Sequence, residues 1–381
     1  MTGFEDRMFV PLLMSWSPLI KRMLVPALML GLTACSGSVD DLGINPKANA
    51  PIPRKLTNKM KAYGMRASSP IMIRIFKDEN VLEVWKEKDT KRYGLLASYE
   101  ICKWSGKFGP KFKEGDRQAP EGFYHVANHQ MNPRSKYHLA FNMGFPNSYD
   151  RAHGRTGAHL MIHGACSSAG CYSMTDDRVE EIYALARESL RGGQKKFQIQ
   201  AYPFRLTAKN MVKHRTSKHF PFWKMLKQGY DHFEITRVPP KVNVCNRAYQ
   251  FNTISGRNYQ STAACPPMRV PQSLALAYTK KQNDYALRFE KLLARSEGRS
   301  IAALTPMTPT EALPGISVET PKTVKPVVEA PVEPTVEAPA VQSGPTQPTA
   351  SAAPAAATQT VPDQNPTAST SGTKPKASVL Y

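Results

Sequence analysis

The segment from Ile162 to Asp176, IHGACSSAGCYSMTD, carries the residues that decide the fold and the chemistry of this chain. It places His163 eight positions before Cys171, and Gly170 directly before that cysteine. A free thiol has a pKa of about 8.5, so a neighbouring imidazole is needed to take its proton near neutral pH. Glycine supports a turn that presents the sulfur and lets a substrate approach the backbone. The pattern makes Cys171 a candidate nucleophile and His163 its candidate general base, with a structural core cysteine and a core histidine as the alternatives, and the surrounding sequence decides between them.

The sequence around this segment predicts strands before it and a helix after it. The runs IMIRIF, VLEVW, GLLASYEI, FYHVANH, YHLAFNMG and HLMIHG have the apolar, β-branched and aromatic content of strands, and the last of them ends at His163. After the cysteine, Thr175 or Asp176 can cap a helix that Gly192 and Gly193 end. We expect the positive end of that helix to lower the pKa of Cys171. A strand QIQAYPF, a short helix over Phe222–Gly229 and a final helix through Leu274 and Leu292 follow.

Four sequence blocks together resemble the L,D-transpeptidase catalytic domain, which has the YkuD-like fold, and within it the YafK-like branch. They are GDRQAPEGFYHV (Gly115–Val126), FPNSYDRAHGRTGAHLMIHG (Phe145–Gly164), the cysteine segment itself, and PPKVNVCNRAYQFN (Pro239–Asn252). The likeness covers roughly Ala50 to Phe251. The chain departs from the usual family motif in three ways: Ala169 replaces a second histidine, Ser173 replaces an arginine, and the gap after His163 is short.

The resemblance implies a fold class and, with composition, a domain organisation. We expect a mostly β, α+β fold: a YkuD-like β-sandwich domain with peripheral helices over residues 50–251. A helical extension over residues 252–300 follows. Residues 301–381 are rich in Pro, Ala and Thr and predict a disordered tail, because such a segment cannot bury enough apolar surface to offset its chain entropy.

Residues 1–35 predict a lipoprotein-type signal peptide. Lys21 and Arg22 precede an apolar run from Met23 to Leu32, which is too short to span a bilayer, and the run ends in the lipobox-like sequence LTAC at Cys35. We expect Cys35 to be lipidated and the protein to be anchored to a membrane. Ser36 favours the outer membrane, so the predicted location is the cell envelope or periplasm. An ordinary secretory signal with a chance cysteine is the alternative.

The net charge of +21, from 51 basic and 30 acidic residues, limits the kinds of partner that the protein is expected to bind. For an exported protein it indicates anionic envelope material such as peptidoglycan carboxylates. The basic runs lack the interleaved aromatics of a base-stacking surface, so we expect no nucleic-acid partner. The expected partners are peptidoglycan stem peptides, a wall-attached lipoprotein in one reading, and the membrane; we expect a monomer.

Six cysteines are present, and five remain if Cys35 is lipidated. An odd number in an oxidising compartment leaves at least one free thiol. We predict a disulfide between Cys245 and Cys265. Cys102 and Cys166 are expected to be small buried residues, with a bond between them as the alternative.

Other residues near the cysteine have predicted roles in the site. The N–H groups of Gly170 and Cys171 suit an oxyanion hole. Ser168 is expected to orient His163 or the turn. Arg155 is expected to bind a substrate carboxylate in place of the missing arginine, or to be an exposed surface residue. Tyr172 lines the cleft or packs.

A zinc site using His163, Cys166 and Cys171 lacks a clear fourth ligand, so we predict no metal, and no cofactor either.

The resemblance implies a peptidoglycan L,D-transpeptidase. Its cysteine forms an acyl-enzyme with a tetrapeptide stem that contains meso-diaminopimelate, in cell wall biogenesis and remodelling. The alternative is an amidase that hydrolyses the bond between diaminopimelate and lysine and releases a wall-bound lipoprotein. A third hypothesis is a non-catalytic wall-binding lipoprotein.

Overall fold

Two five-stranded sheets form the centre of the fold in a computed structural model that describes residues 45–301 and 303–319. The strands of the first sheet are β1 (Ile71–Phe76), β2 (Val81–Glu87), β3 (Tyr93–Glu100), β5 (Gly122–Ala127) and β10 (Lys196–Tyr202). The strands of the second sheet are β4 (Lys103–Trp104), β6 (Met131–Asn132), β7 (Ala140–Asn142), β8 (Met161–His163) and β9 (Tyr172–Ser173). Two small pairs complete the strands: β11 (Val242–Cys245) with β12 (Ala248–Phe251), and β13 (Arg269–Pro271) with β14 (Ser317–Glu319).

The described helices lie between and around these strands. They are α1 (Pro46–Asn49), α2 (Arg54–Ala62), α3 (Ser148–Ala152), α4 (Asp176–Arg191), α5 (Ala208–Lys213), α6 (Phe220–Thr236), α7 (Gln272–Glu297) and α8 (Pro309–Ala312), with a 3-10 turn at Asn128–Gln130. No helix in the described ranges is long and apolar enough to cross a membrane.

The first sheet lies between two apolar layers. Its strand order is β3-β2-β1-β10-β5, and only β1 and β10 run parallel. Side chains alternate along a strand, so Ile73 of β1 faces the core shared with the second sheet, whereas Phe76 faces α6. Because an apolar layer covers each face of the sheet, all residues of IMIRIF are buried and not only those on one face.

The second sheet, in the order β4-β9-β8-β7-β6, has one face in the core and one face outside it. Phe141, Ile162 and Tyr172 are fully buried in the main core together with residues of the first sheet and of α4. Strand β8 runs parallel to β9 and antiparallel to β7. The residues between these core positions therefore project from the opposite face, where His163 lies.

Helix α4 covers the core behind the second sheet as the sequence predicts. It begins at Asp176 after Thr175, ends at Arg191 before Gly192, and buries Val179, Ile182 and their neighbours on one face. The acidic first turn suits the positive end of the helix. The predicted strands and the mixed α+β architecture are confirmed.

Helix α6 is longer than predicted, because Gly229 does not end it. The apolar face continues past that residue to Phe233. A Cβ at Gly229 would lie 2.4 Å from Cζ of Phe123, so glycine is needed here for close packing of the helix on the first sheet. A packing glycine and a helix-ending glycine look the same in sequence.

The chain after the domain also differs from the prediction. Helix α7 lies within the expected helical extension of residues 252–300. The segment predicted as a disordered tail starts at residue 301, yet the structure places α8 and β14 within it, and β14 pairs in parallel with β13. Leu313 packs against Val270 and Tyr278, so this part of the segment contributes apolar residues to a small core. Residues 1–44, 302 and 320–381 lie outside the described ranges, and so do the predicted signal peptide, Cys35 and most of the tail.

Candidate active site

Cys171 directly precedes β9 and has a free, half-buried thiol. The backbone N–H of Met161 lies 3.4 Å from Sγ, and Sγ lies 3.8 Å from the carbonyl oxygen of His159. Met161 is the first residue of β8. These two contacts hold the sulfur beside the strand that ends at His163.

His163 is buried at the end of β8, and its ring has a fixed orientation. Its Nδ1 lies 2.6 Å from the carbonyl oxygen of Gly164, and its ring centroid lies 4.8 Å from that of Tyr137. A carbonyl oxygen can only accept a hydrogen bond, so Nδ1 carries the hydrogen in the neutral ring. Nε2 is then the nitrogen that can accept a proton.

The nucleophile and the histidine lie on the same face of the second sheet. Ile162 pairs with Tyr172, and both side chains are in the core. Because neighbouring residues of a strand point to opposite faces, His163 and Cys171 both point away from that core. The two are diagonal neighbours, and the two contacts of Sγ described above do not involve the imidazole. Catalytic hydrogen bonds are often long before substrate binds, so the shared face is the relevant observation.

Burial keeps both groups uncharged in the resting site. It raises the pKa of the Cys171 thiol, against weaker lowering by the Met161 N–H and the Lys111 charge. Burial also lowers the pKa of His163, against the opposing effect of its bond to Gly164. The net direction for the pKa of Cys171 is upward, opposite to the lowering expected from α4, because desolvation dominates. A neutral thiol beside a neutral imidazole is the arrangement for general-base activation.

The comparisons with known proteins agree with this geometry. The family model described as the L,D-transpeptidase catalytic domain, YkuD, matches residues 72–196. Over 181 residues the sequence is 50% identical to "Putative L,D-transpeptidase YafK" of Escherichia coli (strain K12), a match that covers 48% of this chain and 73% of that protein. This chain belongs to the L,D-transpeptidase family. The YafK protein of Escherichia coli O157:H7 matches with the same identity and coverage.

Solved structures with a similar chain path were also found. The helical cell shape determining protein Pgp2 from Campylobacter jejuni is 18% identical, with a TM-score of 0.29 over 49% of this chain and 79% of that one. Bd1075 of Bdellovibrio bacteriovorus is 20% identical, with a TM-score of 0.26 over 45% of this chain and 62% of that one. With TM-scores this low, neither structure bears on the conclusions below.

In this member of the L,D-transpeptidase family, Ser168 holds the turn before the predicted nucleophile. Its Oγ donates to the carbonyl oxygen of Cys171 at 2.7 Å and lies 3.1 Å from Oγ of Ser105. It also accepts a long bond of 3.4 Å from the N–H of Gly170. Of the two expectations for Ser168, the contact with the turn is the one observed. Gly170 has a φ of +123°, which only glycine adopts without strain.

Arg155 is neither an exposed surface residue nor a free cation. It is buried and donates to Oδ1 of Asp150 at 2.7 Å, and its guanidinium lies against the rings of Phe112, Tyr149 and Phe222. A guanidinium held in this way supports the packing of α3 and is already paired with a carboxylate of the same chain. We therefore assign no substrate carboxylate to Arg155.

Tyr172 packs rather than lining the cleft. Its side chain is fully buried, and its hydroxyl donates to the carbonyl oxygen of Pro120 at 2.7 Å. That bond fixes β9 to the GDRQAPEGF block. Tyr172 thus faces the core while the preceding residue, Cys171, faces outward.

Both possible disulfides are formed, and Cys171 is the remaining free cysteine of the described ranges. The predicted Cys245–Cys265 bond is confirmed. Cys166 is exposed, not buried as expected, and it bonds to the half-buried Cys102. A zinc site that uses Cys166 would require this bond to be broken.

A groove of about 610 Å³ lies along the outer face of β6, β7 and β8. Met161, whose N–H contacts the nucleophile, is part of its wall, so the groove lies next to the site. Arg151 lies on the same groove. Its side chain is exposed and donates to the carbonyl oxygen of Pro146 and to Ser148, and within the described ranges it forms no ion pair with a carboxylate.

Sequence reasoning missed the buried ion pair beneath the site. Nζ of Lys77 lies 2.9 Å from Oε1 of Glu121, both side chains are fully buried, and Trp223 donates to the second carboxylate oxygen at 2.9 Å. Lys111 is buried near the nucleophile and paired with Asp116. The only sequence signal for either pair was the charged GDRQAPEGF block itself, which carries Asp116 and Glu121.

Proposed function

We propose that this member of the family is a peptidoglycan L,D-transpeptidase that works through a cysteine acyl-enzyme at Cys171. The observation that supports this most strongly is the position of a free, outward-facing thiol and of His163 on the same face of the sheet. His163 has its Nδ1 bound to Gly164, which leaves Nε2 free to take a proton. The substrate class follows from the family rather than from a bound ligand.

In the first half-reaction, Sγ of Cys171 attacks the carbonyl carbon at the L-centre of diaminopimelate in a tetrapeptide stem. Nε2 of His163 takes the thiol proton as the carbon–sulfur bond forms. The carbonyl electrons move onto oxygen, where the N–H groups of Gly170 and Cys171 are the proposed donors. The bond to the terminal D-alanine then breaks, the imidazolium gives its proton to the leaving amine, and a thioester remains.

In the second half-reaction, an amine of another stem attacks the thioester carbonyl. His163 takes a proton from that amine and returns it to Sγ as the carbon–sulfur bond breaks. One new amide bond replaces the one lost in the first half-reaction, and the free thiol is restored. Because Cys171 is only half-buried, water can compete with the amine unless the bound substrates exclude it.

Arg151 is our proposed anchor for a carboxylate of the stem. An arginine at the usual position two residues after the nucleophile is replaced by Ser173, which is fully buried and donates to the carbonyl oxygen of Lys103. Arg155 is committed to Asp150. Arg151 is exposed on the groove that reaches Met161, and its planar donors suit a carboxylate.

The cellular setting is that of a cell envelope enzyme, in line with the family. We further propose lipidation at Cys35 and an outer-membrane anchor, with peptidoglycan stems as substrates. These proposals rest on sequence, since Cys35 lies outside the described ranges.

The second candidate is the amidase that releases a wall-bound lipoprotein by hydrolysing its bond to diaminopimelate. It uses the same Cys171 thioester, with water in place of the acceptor amine. The observation that favours it is the exposed Ala169 at the position where the family often has a second histidine. An open position next to the nucleophile leaves room for a bulky leaving group.

The test is to incubate the full-length protein with tetrapeptide muropeptides and, separately, with lipoprotein-linked muropeptides. Mass spectrometry then identifies the products. Cross-linked dimers together with free D-alanine support the transpeptidase. Released lipoprotein peptide without dimers supports the amidase.

Cys171→Ala is the control for both reactions, because it removes the nucleophile and keeps the rest of the site. Neither product should form with this variant. If the variant yields either product at the native rate, Cys171 is not the nucleophile.

A further inference from the structure

The short connection between His163 and Cys171 contains a conformation that non-glycine residues rarely adopt. Ala165 has a φ of +60° and Cys166 a φ of +45°, so two consecutive residues with side chains are in the left-handed region. Such residues persist only where the surrounding structure holds them. The contacts that hold this turn are therefore informative.

Hydrogen bonds hold the turn on the side of α4 and β7. The N–H of Ala165 donates to Oδ1 of Asp176 at 2.7 Å, and the N–H of Gly164 lies 3.0 Å from the carbonyl oxygen of Tyr137. Gly164 has no room for a side chain, because a Cβ there would lie 2.5 Å from Oδ1 of Asp176. The N–H of Cys166 donates to the carbonyl oxygen of Met174 at 3.2 Å.

A covalent bond holds the turn on the other side. Cys166 forms a disulfide with Cys102, which directly precedes β4 and whose N–H donates to the carbonyl oxygen of Ser173 at 2.9 Å. Strand β4 in turn pairs with β9, directly after the nucleophile. The disulfide therefore joins the left-handed turn to the strand edge that carries Cys171.

The peptide unit between Gly164 and Ala165 links this turn to the general base. Its N–H is the one bound to Asp176, and its carbonyl oxygen is the one bound to Nδ1 of His163. A peptide unit is planar, so its N–H and C=O turn together. Any rotation that relaxes the left-handed turn also moves the carbonyl that orients the imidazole.

We propose that the Cys102–Cys166 disulfide is a positioning device for the general base: it holds the strained turn and hence the Gly164 carbonyl against His163. Cys102 and Cys166 are positioning residues and do not touch the substrate. The proposal rests on the proposed roles of His163 and Cys171. Cys166 is exposed, so a dithiol reductant can reach the bond, and reduction to two thiols is accompanied by oxidation of the dithiol to its own disulfide.

The second disulfide provides a matched control. Cys245–Cys265 ties the β11–β12 hairpin to the loop that follows it, and this hairpin is not part of the sheet that carries His163. Removing either disulfide takes one cross-link from the folded chain. Only removal of Cys102–Cys166 is expected to change the chemistry of Cys171.

The experiment measures iodoacetamide alkylation of Cys171 in the full chain as a function of pH, with the Cys171 peptide quantified by mass spectrometry after digestion. This readout needs no peptidoglycan substrate, so it separates this proposal from the proposed function. The variants are Cys102→Ser/Cys166→Ser and, as control, Cys245→Ser/Cys265→Ser. Each is also made in a His163→Ala background.

Loss of the first disulfide should slow alkylation at pH 7 by about tenfold, as for a rise of about one unit in the apparent pKa of the thiol. The control pair should keep the native profile. In the His163→Ala background, removing Cys102–Cys166 should add no further change, because its effect acts through the imidazole. A native profile without the disulfide, or an equal slowing in both backgrounds, overturns the proposal.

Reduction provides a second route if the Cys102→Ser/Cys166→Ser protein does not fold. In folded Cys245→Ser/Cys265→Ser protein, Cys102–Cys166 is the disulfide that remains in the described ranges. Treatment with dithiothreitol should slow alkylation of Cys171 by the same factor, and reoxidation should restore it. An unchanged rate after complete reduction, verified by labelling of Cys102 and Cys166, contradicts the proposal.

Discussion

The carbonyl oxygen of Gly164 lies 2.6 Å from Nδ1 of the histidine that precedes it, His163. This contact sets which ring nitrogen carries the hydrogen, and so which one can take a proton from Cys171. The base is thus oriented by the backbone of its own neighbour and not by a carboxylate. The pKa of His163 is lowered because burial outweighs the opposing effect of this bond.

Replacing His163 by alanine should lower the rate of acylation of Cys171 by about 10²–10⁴-fold, the usual contribution of a general base. The measurement is the rate of thioester formation with a tetrapeptide donor, followed by intact mass. His153→Gln is the control, because His153 is exposed and contacts the backbone of Tyr149 at 3.0 Å, away from the nucleophile. Native-like acylation by His163→Ala would remove His163 from the mechanism.

The acid limb of the pH profile should have its midpoint below 6.5, because burial lowers the pKa of His163. The imidazole must be neutral to accept the thiol proton, so kcat/KM falls as the pH drops through that lowered value. Burial raises the pKa of Cys171, with Lys111 the charged group that opposes it, so the thiol stays protonated at neutral pH. An acid midpoint above 6.5, measured as kcat/KM against pH, would contradict this assignment.

Ser168→Ala should destabilise the turn before the nucleophile by about 1 kcal/mol, the usual net value of a neutral hydrogen bond. It should also slow acylation, because the carbonyl of Cys171 loses its donor. Ser105→Ala is the comparison, since it removes only the contact between the two hydroxyls. The idea fails if the two variants slow acylation equally. Denaturant unfolding gives the stability difference, and thioester formation gives the rate.

Arg151→Gln should raise KM for tetrapeptide stems by about tenfold or more, as expected for loss of a hydrogen bond to a charged group of about 1.5–3 kcal/mol. The effect should disappear with stems whose diaminopimelate carboxylate is amidated, because the anion is then absent. Arg134→Gln is the control, as Arg134 is exposed but lines a different cavity. An equal increase in KM for acidic and for amidated stems would show that Arg151 does not bind this carboxylate.

Lys77→Met should lower the free energy of unfolding by about 3–5 kcal/mol, because it leaves the buried Glu121 carboxylate without its partner. The double variant Lys77→Met/Glu121→Gln should recover part of that loss, since no buried charge remains. Chemical denaturation of the native protein, the single variants Lys77→Met and Glu121→Gln, and the double variant provides the measurement. Additive losses in the double variant would mean that the two side chains do not act as a pair.

Local patterns in the sequence were enough to predict the strands of the first sheet, β7, β8 and α4. Apolar alternation and helical spacing are short-range signals, and both ends of α4 are marked by residues adjacent to it. The same signals put His163 at the end of a strand, whereas the proposed roles of Cys171 and His163 rest on the family resemblance of the surrounding blocks. The Cys245–Cys265 bond, with a separation of 20 residues, was also predicted.

Local sequence patterns could not predict the contacts between segments that are distant in the chain. Cys102 and Cys166 are 64 residues apart, and only the pairing of β4 with β9 brings them together. Arg155 matched the expected residue type for a carboxylate anchor, yet its nearest carboxylate, Asp150, belongs to the chain itself. A sequence indicates that an arginine is present and not whether its charge is already neutralised.

Because Tyr172 is anchored in the core, the loop before it can vary in length. Tyr172 is the residue of β9 that enters the core, where its ring packs and its hydroxyl is hydrogen-bonded. The residue before it, Cys171, therefore points to the opposite face of the sheet. Residues can therefore be gained or lost between the histidine and Ser168 without turning the nucleophile inward. The short spacer between His163 and Ser168 therefore changes the length of the loop and leaves the orientation of the Cys171 sulfur unchanged.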